Sequence, residues 1–561
     1  MTDDTAAPDT PRRSRSRRGR GRHARATYRR RQATAAIVAL VVLAAVASLL
    51  TSALGGTSGH SPKAAGTSET SSKPGHAAKE TAGVFAGPDG PEARWVVAEN
   101  AKPGSTAWAI TPGDDHGIAG YASAIQTSPG QAVTLYVSTA APTFQVTAYR
   151  MGYYGGEGAR AVWTSPVTAG SVQPTCPVTP GINMVECSWK PSLSLTVSAA
   201  WVPGVYLLKL VGSGDEQSYV PLTVMDPASR ATYLVQNSVL TWQAWNTYGG
   251  YDLYGGGPPG QTPTYDARAR VVSFDRPYAT GDGASDFLGE EYPLIRFMEE
   301  HGLDVTYGTD ITTGENPASL LAHRVFLSLG HDEQWSLEMR NAATTALDHG
   351  VNLVFFGASP VLRKVRLQPS PLGPDREMVN YRDPTADPVY TSDPSQVSQN
   401  QWIQPPANWS PSALVGNSYL GYGVSGPLVV SEASSWLYAG TGLKDSDQLP
   451  GVIEADFNGY VPGPSDPAGV EILAHSPATP AVGTKGYADT VYYTLPGGGG
   501  VFSTGTNGWI PAMACTGGLP TCAAPDLASM TGNLLRLFGS GPAGATTPST
   551  ATWQSFYPSS R

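Results

Sequence analysis

Cysteine is scarce in this chain, and the scarcity limits the chemistry that the chain can support. Only Cys176, Cys187, Cys515 and Cys522 occur, and none has the Cys-x-x-Cys spacing of a zinc site. Three disulfide pairings are formally open, but bonding within each locally spaced pair closes the shortest loops. We expect two structural disulfides in an oxidising compartment, which would leave no thiol nucleophile.

Several catalytic motifs are missing as well. The sequence contains no Gly-x-Ser-x-Gly, no His-Glu-x-x-His and no Gly-x-x-x-x-Gly-Lys. These absences argue against a serine hydrolase with a nucleophile elbow, a zincin protease and a P-loop nucleotide-binding protein. Any active site must therefore be built from other residues.

Positive charge is concentrated at the N-terminus. Residues 1–34 contain eleven arginines and three aspartates, whereas the rest of the chain has 25 basic and 42 acidic residues, which argues against nucleic acid as a partner. The apolar run at residues 33–54 would span about 33 Å as a helix. We therefore predict a basic cytoplasmic tail at 1–32, a single transmembrane anchor at 33–54 and a flexible linker at 55–83. The folded part would lie outside the plasma membrane; a cleaved signal peptide and secretion are the alternative.

The remaining sequence predicts an α/β plus all-β fold. Residues 84–226 show short alternating apolar runs between proline and glycine turns, which is typical of an antiparallel β-sandwich. Strand and helix patterns alternate within residues 227–540, which indicates a layered α/β domain with a mostly parallel, amidotransferase- or flavodoxin-like sheet. We expect a loop-rich insertion at about 360–490 and a frayed tail at 541–561.

The candidate site lies at the end of one predicted strand. Residues 325–329 form an apolar run that meets Gly330, then His331, an aspartate and Glu333, and a helix is predicted at 336–349. In open α/β sheets, ligands bind at the carboxyl ends of the strands, where neighbouring loops converge. A structural alternative has Glu333 capping that helix while His331 bonds a loop carbonyl.

Five motifs, in order along the chain, resemble the large (beta) subunit family of N,N-dimethylformamidase. They are Ile-Ala-Gly-Tyr-Ala-Ser at 118–123, Tyr-Arg-Met-Gly-Tyr-Tyr-Gly-Gly at 149–156, the Trp- and Tyr-rich stretch at 241–254, Ser-Phe-Asp-Arg-Pro-Tyr at 273–278 and Gly-His-Asp-Glu at 330–333. The resemblance covers roughly residues 94–538. It implies an amidohydrolase in which two tyrosines and a glutamate hold a ferric ion.

The resemblance assigns roles to particular residues. Glu333 matches the glutamate ligand, Tyr254 one tyrosine ligand, and His331 a histidine that transfers protons. A hard trivalent cation prefers anionic oxygen ligands and would acidify a bound water, giving a hydroxide that attacks the amide carbon. His331 would then protonate the departing nitrogen.

Two positions depart from the family pattern. Trp245 stands where relatives usually have the second tyrosine, and because indole cannot bind iron we take Tyr248 as the candidate ligand, with Tyr251 and Tyr278 as alternatives. Ser359 stands where the family commonly has an asparagine that polarises a carbonyl, and we include it among the catalytic candidates.

Two functions follow from these observations. The first is a membrane-anchored hydrolase of a small amide or another C–N bond, with iron as cofactor and a small-molecule substrate. The second is a non-catalytic surface protein that keeps the fold and binds envelope polymer or a partner chain. A homo-oligomer or a small second subunit is compatible with both.

Overall fold

A seven-stranded sheet forms the centre of the fold in the computed structural model, which describes residues 83–110, 117–258, 260–514 and 523–558. Five neighbouring strands are parallel, and two antiparallel strands extend one edge. In spatial order the strands are Val305–Thr309, Tyr233–Asn237, Val325–Leu329, Asn352–Phe356, Gly500–Ser503, Gly486–Thr494 and Glu471–Ala478. Every residue of Val325–Leu329 is buried, because a parallel strand covered on both faces has no solvent side.

Two further sheets are formed by the N-terminal half of the described chain. The first contains Gln126–Thr127, Gln217–Val224, Gly204–Gly212, Thr143–Met151 and Ala159–Thr164, with Thr168–Ala169 beside Thr143–Met151; the second contains Leu193–Thr196, Ala132–Thr139 and Ile118–Ala122. Leu208 packs with Val133 and Leu135 of the second sheet, whereas Leu207 belongs to the core around the main sheet. Leu207 and Leu208 lie in different cores because successive side chains of a strand point to opposite faces of the sheet.

The region expected to be a loop-rich insertion contains long strands. Ser418–Val429 and Gln448–Gly459 pair antiparallel, with Val482–Gly483 at the edge. The other small sheets are Val271–Ser273 with Gly373–Val379 and Arg366–Ser370; Val84–Gly87 with Gly90–Ala93; Val178–Thr179 with Met184–Val185; and Gln334–Trp335 with Arg363–Lys364.

Helices fill the connections between the strands. The α-helices are Arg94–Asn100, Val239–Ala244, Tyr292–Glu300, Asp310–Glu315, Leu337–Asp348, Ser412–Val415, Trp509–Met513, Ala524–Gly539, Ala543–Thr546 and Trp553–Phe556, and Phe287–Glu291 is a π-helix. The 3₁₀ turns are Thr106–Trp108, Tyr154–Gly156, Tyr248–Gly250, Gly281–Gly283, Pro317–Ala322, Pro384–Ala386, Pro394–Gln396 and Trp436–Tyr438. In the segment expected to fray, Tyr557 donates a 2.6 Å hydrogen bond to Asp489.

The fold is a mixed α/β protein with several β-sheets, in agreement with the α/β plus all-β prediction at that level. The described residues belong to one compact unit, so the boundary predicted between residues 226 and 227 stays a prediction. The predicted tail at 1–32 and all but the last residue of the linker at 55–83 lie outside the described residues.

The prediction of a single-pass membrane protein is corrected by the structure. No helix in the described part of the chain is long and apolar enough to cross a bilayer, and the predicted span at 33–54 falls outside that part. The longest described α-helix, Ala524–Gly539, has 16 residues, or about 24 Å, against roughly 30 Å of hydrocarbon. Membrane attachment through one N-terminal helix and a location at the plasma membrane are therefore withdrawn.

One of the two expected disulfides lies within the described residues. Cys176 and Cys187 form a disulfide, with their Cα atoms 4.4 Å apart, which confirms the predicted pairing of these two cysteines. Tyr121, Tyr136 and Trp189 pack around this disulfide. The second predicted pair, at positions 515 and 522, lies outside the described residues.

Candidate functional site

The turn after strand Val325–Leu329 positions the site. Gly330 has a φ of +56°, and a Cβ there would lie 2.8 Å from the carbonyl oxygen of Glu290, so this turn requires glycine. The strands of the main sheet hold the residues that follow Gly330, because Asp332 accepts 2.7 Å hydrogen bonds from Gln236 and Ser328. His331 and Glu333 are thereby presented at the carboxyl edge of the main sheet.

The Glu333 side chain is held by Tyr254 and Arg363, from two other segments of the chain, rather than by the following helix. Ser336 caps helix Leu337–Asp348, which removes the alternative in which Glu333 is the cap. The Tyr254 hydroxyl donates to Glu333 Oε2, and Arg363 Nε donates to Glu333 Oε1 over 2.7 Å. Burial favours a higher pKa for Glu333, but Arg363, His331 and Arg382 outweigh it and hold the pKa below its ordinary value, so Glu333 is a carboxylate at neutral pH.

Tyr254 shares this network as a neutral phenol. Its hydroxyl accepts a 2.8 Å hydrogen bond from Gln334 Nε2 while donating to Glu333. Burial, and after it the charge of Glu333, raises the pKa of Tyr254 well above its ordinary value. Asp252 fixes the backbone by accepting hydrogen bonds from the amides of Tyr254 and Gly255, so the phenol reaches Glu333 from a rigid turn.

The Nε2 atom of His331 lies between two carboxylates. It is 3.5 Å from Glu333 Oε2 and 3.7 Å from Asp456 Oδ2, and it is buried without a hydrogen-bond partner among the described residues. Burial alone would lower the pKa of His331, but Glu333, Asp456 and then Glu290 together raise it above the ordinary value. The imidazole therefore holds a proton that it can donate.

Asp456 is a site residue that the sequence reasoning missed. It belongs to strand Gln448–Gly459, and its Oδ2 accepts a 3.0 Å hydrogen bond from Ser359 Oγ. Asn458 on the same strand accepts the backbone N–H of Ser359 over 2.8 Å. Burial raises the pKa of Asp456 although the nearby His331 opposes it. Asp456 and Asn458 thus anchor Ser359, and Asp456 faces His331.

Trp245 covers one face of the Tyr254 ring. The two rings are stacked, with centroids 3.6 Å apart and planes 8° apart, and Trp245 is 40% exposed. Its ring centroid is also 5.9 Å from that of His331. The position of the expected second tyrosine is therefore occupied by an indole that forms a wall of the site.

Tyr248 belongs to a different environment. Its ring contacts Trp189 edge-on at 6.5 Å and packs against the cluster around the Cys176–Cys187 disulfide, as does Tyr251. Tyr278 contacts Trp242. Of the predicted site residues, the structure brings Tyr254 and His331 to Glu333 and brings Ser359 and His331 to Asp456, and it places Tyr248 elsewhere.

The donor set at Glu333 fits a hard cation only in part. A phenol and a carboxylate are oxygen donors of the kind that ferric iron prefers, and Tyr254 and Glu333 meet directly. However, Arg363 occupies the other oxygen of Glu333, and Tyr248 does not join the pair. The part of the chain that the structure describes holds no group of three His, Cys, Asp or Glu residues arranged for a metal.

The raised pKa of His331 predicts the direction of the pH dependence of turnover. If His331 donates a proton to the leaving group, kcat falls as pH rises through that raised pKa, because the imidazolium is then lost. We expect an alkaline limb in the pH profile of kcat that disappears in His331→Asn. Kinetics across pH 5–10 measure this, and an identical alkaline limb in the variant would contradict the assignment.

Fold and site together define a mixed α/β protein with a buried phenol–carboxylate–imidazole cluster at the carboxyl edge of its main sheet. The family model described as N,N-dimethylformamidase beta subunit-like, C-terminal, matches residues 145–523. The chain belongs to this family, as its five motifs predicted, and the match indicates a dimethylformamidase-like hydrolase.

Other comparisons add little. No curated protein matches the chain. An uncharacterised protein from Bacillus anthracis str. Ames is 12% identical over 20% of this chain and 84% of its own, with a TM-score of 0.13. A chain from a structure on T cell specificity and activation by the bacterial superantigen toxic shock syndrome toxin-1 is 16% identical over 19% of this chain and 98% of its own, with a TM-score of 0.12. Likenesses this low support no argument.

Proposed function

We propose that the chain hydrolyses a small linear amide at the cluster of Tyr254, His331, Glu333 and Asp456. One observation carries the proposal: His331 Nε2, which has no hydrogen-bond partner among the described residues, lies 3.5 Å from Glu333 Oε2, and the Tyr254 phenol donates a hydrogen bond to that carboxylate. A positioned proton donor beside a fixed carboxylate is what cleavage of a C–N bond requires.

Asp456 and His331 carry out the two proton transfers of the proposed reaction. A water oxygen adds to the amide carbon and passes a proton to Asp456, which suits a base because burial raises its pKa and no arginine pairs with it among the described residues. His331 Nε2 donates its proton to the amide nitrogen as the C–N bond breaks. The products are an amine and a carboxylic acid, and Asp456 returns its proton to His331.

Other residues of the site position these groups. Arg363 holds Glu333 in place through the 2.7 Å ion pair. The Ser359 hydroxyl lies within donating distance of two acceptors, Asp456 Oδ2 and the carbonyl oxygen of Ala358, and shares its single proton between them. We therefore assign Ser359 to positioning Asp456 rather than to polarising the substrate carbonyl. The stacked Trp245 forms an apolar wall beside the reacting carbon, which suits a substrate with small alkyl groups.

We propose iron as the cofactor of this site. Tyr254 and Glu333 would hold a ferric ion, which would supply Lewis acidity toward the amide carbonyl and toward water. Tyr419 is a further phenol in the electrostatic surroundings, because burial and then the charges of Asp456 and Glu333 raise its pKa. Among the described residues, Tyr248 has no such charged neighbours.

Metal analysis of tyrosine variants tests this part of the proposal. We expect about one iron per chain with a visible phenolate-to-iron band, and we expect Tyr254→Phe to abolish the band because phenylalanine keeps the stack on Trp245 but lacks the oxygen ligand. Tyr248→Phe is the matched control and should leave the band unchanged. A band that survives in Tyr254→Phe and is lost in Tyr248→Phe would reverse the assignment.

We also infer that the fold contains a β-sandwich and a layered α/β domain, from the way the buried residues group. Leu208, Val133 and their neighbours form one interior between two sheets, which supports a β-sandwich over residues 84–226. The parallel strands flanked by Leu337–Asp348 support a flavodoxin- or amidotransferase-like layering over 227–540. A non-catalytic family member that keeps this fold is the second candidate, and a folded protein without turnover would favour it.

A further inference from the structure

Backbone strain occurs on two sides of Asp456. Most residues other than glycine that have a positive φ in the described part of the chain are Asn, Asp or Ser, whose side chains can bond the local backbone. The exceptions are Tyr154, Val361 and Ala455. Ala455 directly precedes Asp456, and Val361 lies two residues after Ser359, which contacts Asp456. Two of the three exceptions therefore lie at the candidate site.

Val361 and Ala455 adopt a conformation that their side chains disfavour. Their φ values are +58° and +59°, in the left-handed region where Cβ crowds the following carbonyl oxygen. Val361 is the only β-branched residue with a positive φ among the described residues, and its amide donates to the carbonyl of Asp332 over 3.3 Å. Val361 is fully buried, whereas Ala455 is exposed. Such conformations persist only where the surrounding contacts impose them.

The contacts around Val361 connect the two carboxylates of the site. At one end of the segment 359–363, the Ser359 hydroxyl lies within donating distance of Asp456 Oδ2. At the other end, Arg363 donates its amide to the Glu333 carbonyl over 2.9 Å and its Nε to the Glu333 carboxylate over 2.7 Å. One short segment therefore ties Asp456 at one end and Glu333 at the other.

Ala455 acts on Asp456 from its own strand. The pairing between Gln448–Gly459 and Ser418–Val429 shifts its register between Ala455 and Asp456. Irregularities of this kind bend a strand and change the direction in which the next side chain points. The direction of the Asp456 carboxylate toward His331 therefore depends on the backbone conformation of Ala455.

We propose that the left-handed conformations of Val361 and Ala455 fix Glu333 and Asp456 on either side of His331. The two carboxylates lie 3.5 and 3.7 Å from His331 Nε2. A residue with a Cβ has only a small allowed region at positive φ, whereas glycine has a wide one, so the Cβ atoms confine the backbone beside both carboxylates. Val361 and Ala455 are thus positioning residues. Their effect on turnover rests on the proposed function, whereas their effect on the two distances does not.

Ala455→Gly tests the proposal with the smallest change in packing. It removes one exposed methyl group and relieves the strained φ, so we expect Tm to rise by about 1–2 °C. We expect kcat to fall about tenfold with KM unchanged, because the Asp456 carboxylate is no longer confined. Calorimetry and steady-state kinetics measure the two effects. An unchanged kcat in the folded variant would overturn the proposal.

Two controls separate strain from the ordinary effects of glycine. Ala439 is also exposed but has a φ of −56°, so Ala439→Gly should lower Tm and leave kcat unchanged. At the buried position, Val361→Gly should melt higher than Val361→Ala, whereas Val365, which is buried at negative φ, should show the opposite order. The same order at both valines would contradict strain at Val361.

Crystal structures of wild type and Ala455→Gly supply a readout that does not depend on turnover. We expect the distance between Asp456 Oδ2 and His331 Nε2 to lengthen by about 0.5 Å or more in the variant. An unchanged distance would contradict the proposal. A longer distance in a protein that hydrolyses no amide would refute the proposed function and leave the positioning role intact.

Discussion

Replacing Glu333 by glutamine should lower kcat for a small amide by about 10³-fold. The glutamate carboxylate binds the Tyr254 hydroxyl and lies 3.5 Å from His331 Nε2, so its charge keeps the imidazole protonated and the phenol in place. A neutral amide of the same shape removes that charge but keeps the volume. Steady-state kinetics of the folded variant measure the loss.

Glu333→Gln also breaks the buried ion pair between Glu333 and Arg363. The control variant must therefore break a buried ion pair at another place in the structure. Arg150 and Glu299 form such a pair at 2.6 Å with both side chains fully buried. Breaking a buried pair costs roughly 3–5 kcal/mol of unfolding free energy, and Glu299→Gln should show that cost with kcat intact. An equal loss of kcat in both variants would mean that Glu333 acts only through stability.

Replacing His331 by asparagine should lower kcat by about 10²–10⁴-fold, the contribution of one general acid. The loss should shrink for an activated anilide, whose leaving group departs without a proton, because the role assigned to His331 is protonation of nitrogen. Parallel assays with an alkylamide and an anilide measure this difference.

His475 provides the matched control for this variant. It forms a 2.6 Å pair with the buried Asp489, and its ring lies against those of Tyr487 and Phe556. His475→Asn removes a histidine–aspartate pair of similar kind, and we expect its kcat to match that of the wild type. An equal loss for both amide classes in His331→Asn would exclude proton donation to the leaving group.

The strand that positions the site could be predicted from sequence. The apolar run at 325–329 is interrupted by Gly330, and the structure has the strand at these residues. The helix predicted at 336–349 is Leu337–Asp348, because Ser336 supplies the cap and apolar residues recur at helical spacing. The meeting of Tyr254 with Glu333, 79 residues apart, could be expected only from the family resemblance, since no local pattern encodes it.

Asp456 was not predictable because its strand lacks a regular pattern. Strands Ser418–Val429 and Gln448–Gly459 pair with several register shifts, and Ala455 has a φ of +59°, so the alternation that identifies a strand is broken. The position of Tyr248 was not predictable either, because the turn that follows it is not evident from residue spacing. It lies six residues before Tyr254, but Gly249 and Gly250 adopt positive φ and turn the chain toward the disulfide cluster.

Release of formate and dimethylamine from N,N-dimethylformamide by the purified full chain, assayed with and without added iron, tests the central claim most directly. We predict saturable release by the wild type and a loss of about three orders of magnitude in Glu333→Gln. Absence of release from this and other small linear amides by folded, iron-supplemented protein would contradict it.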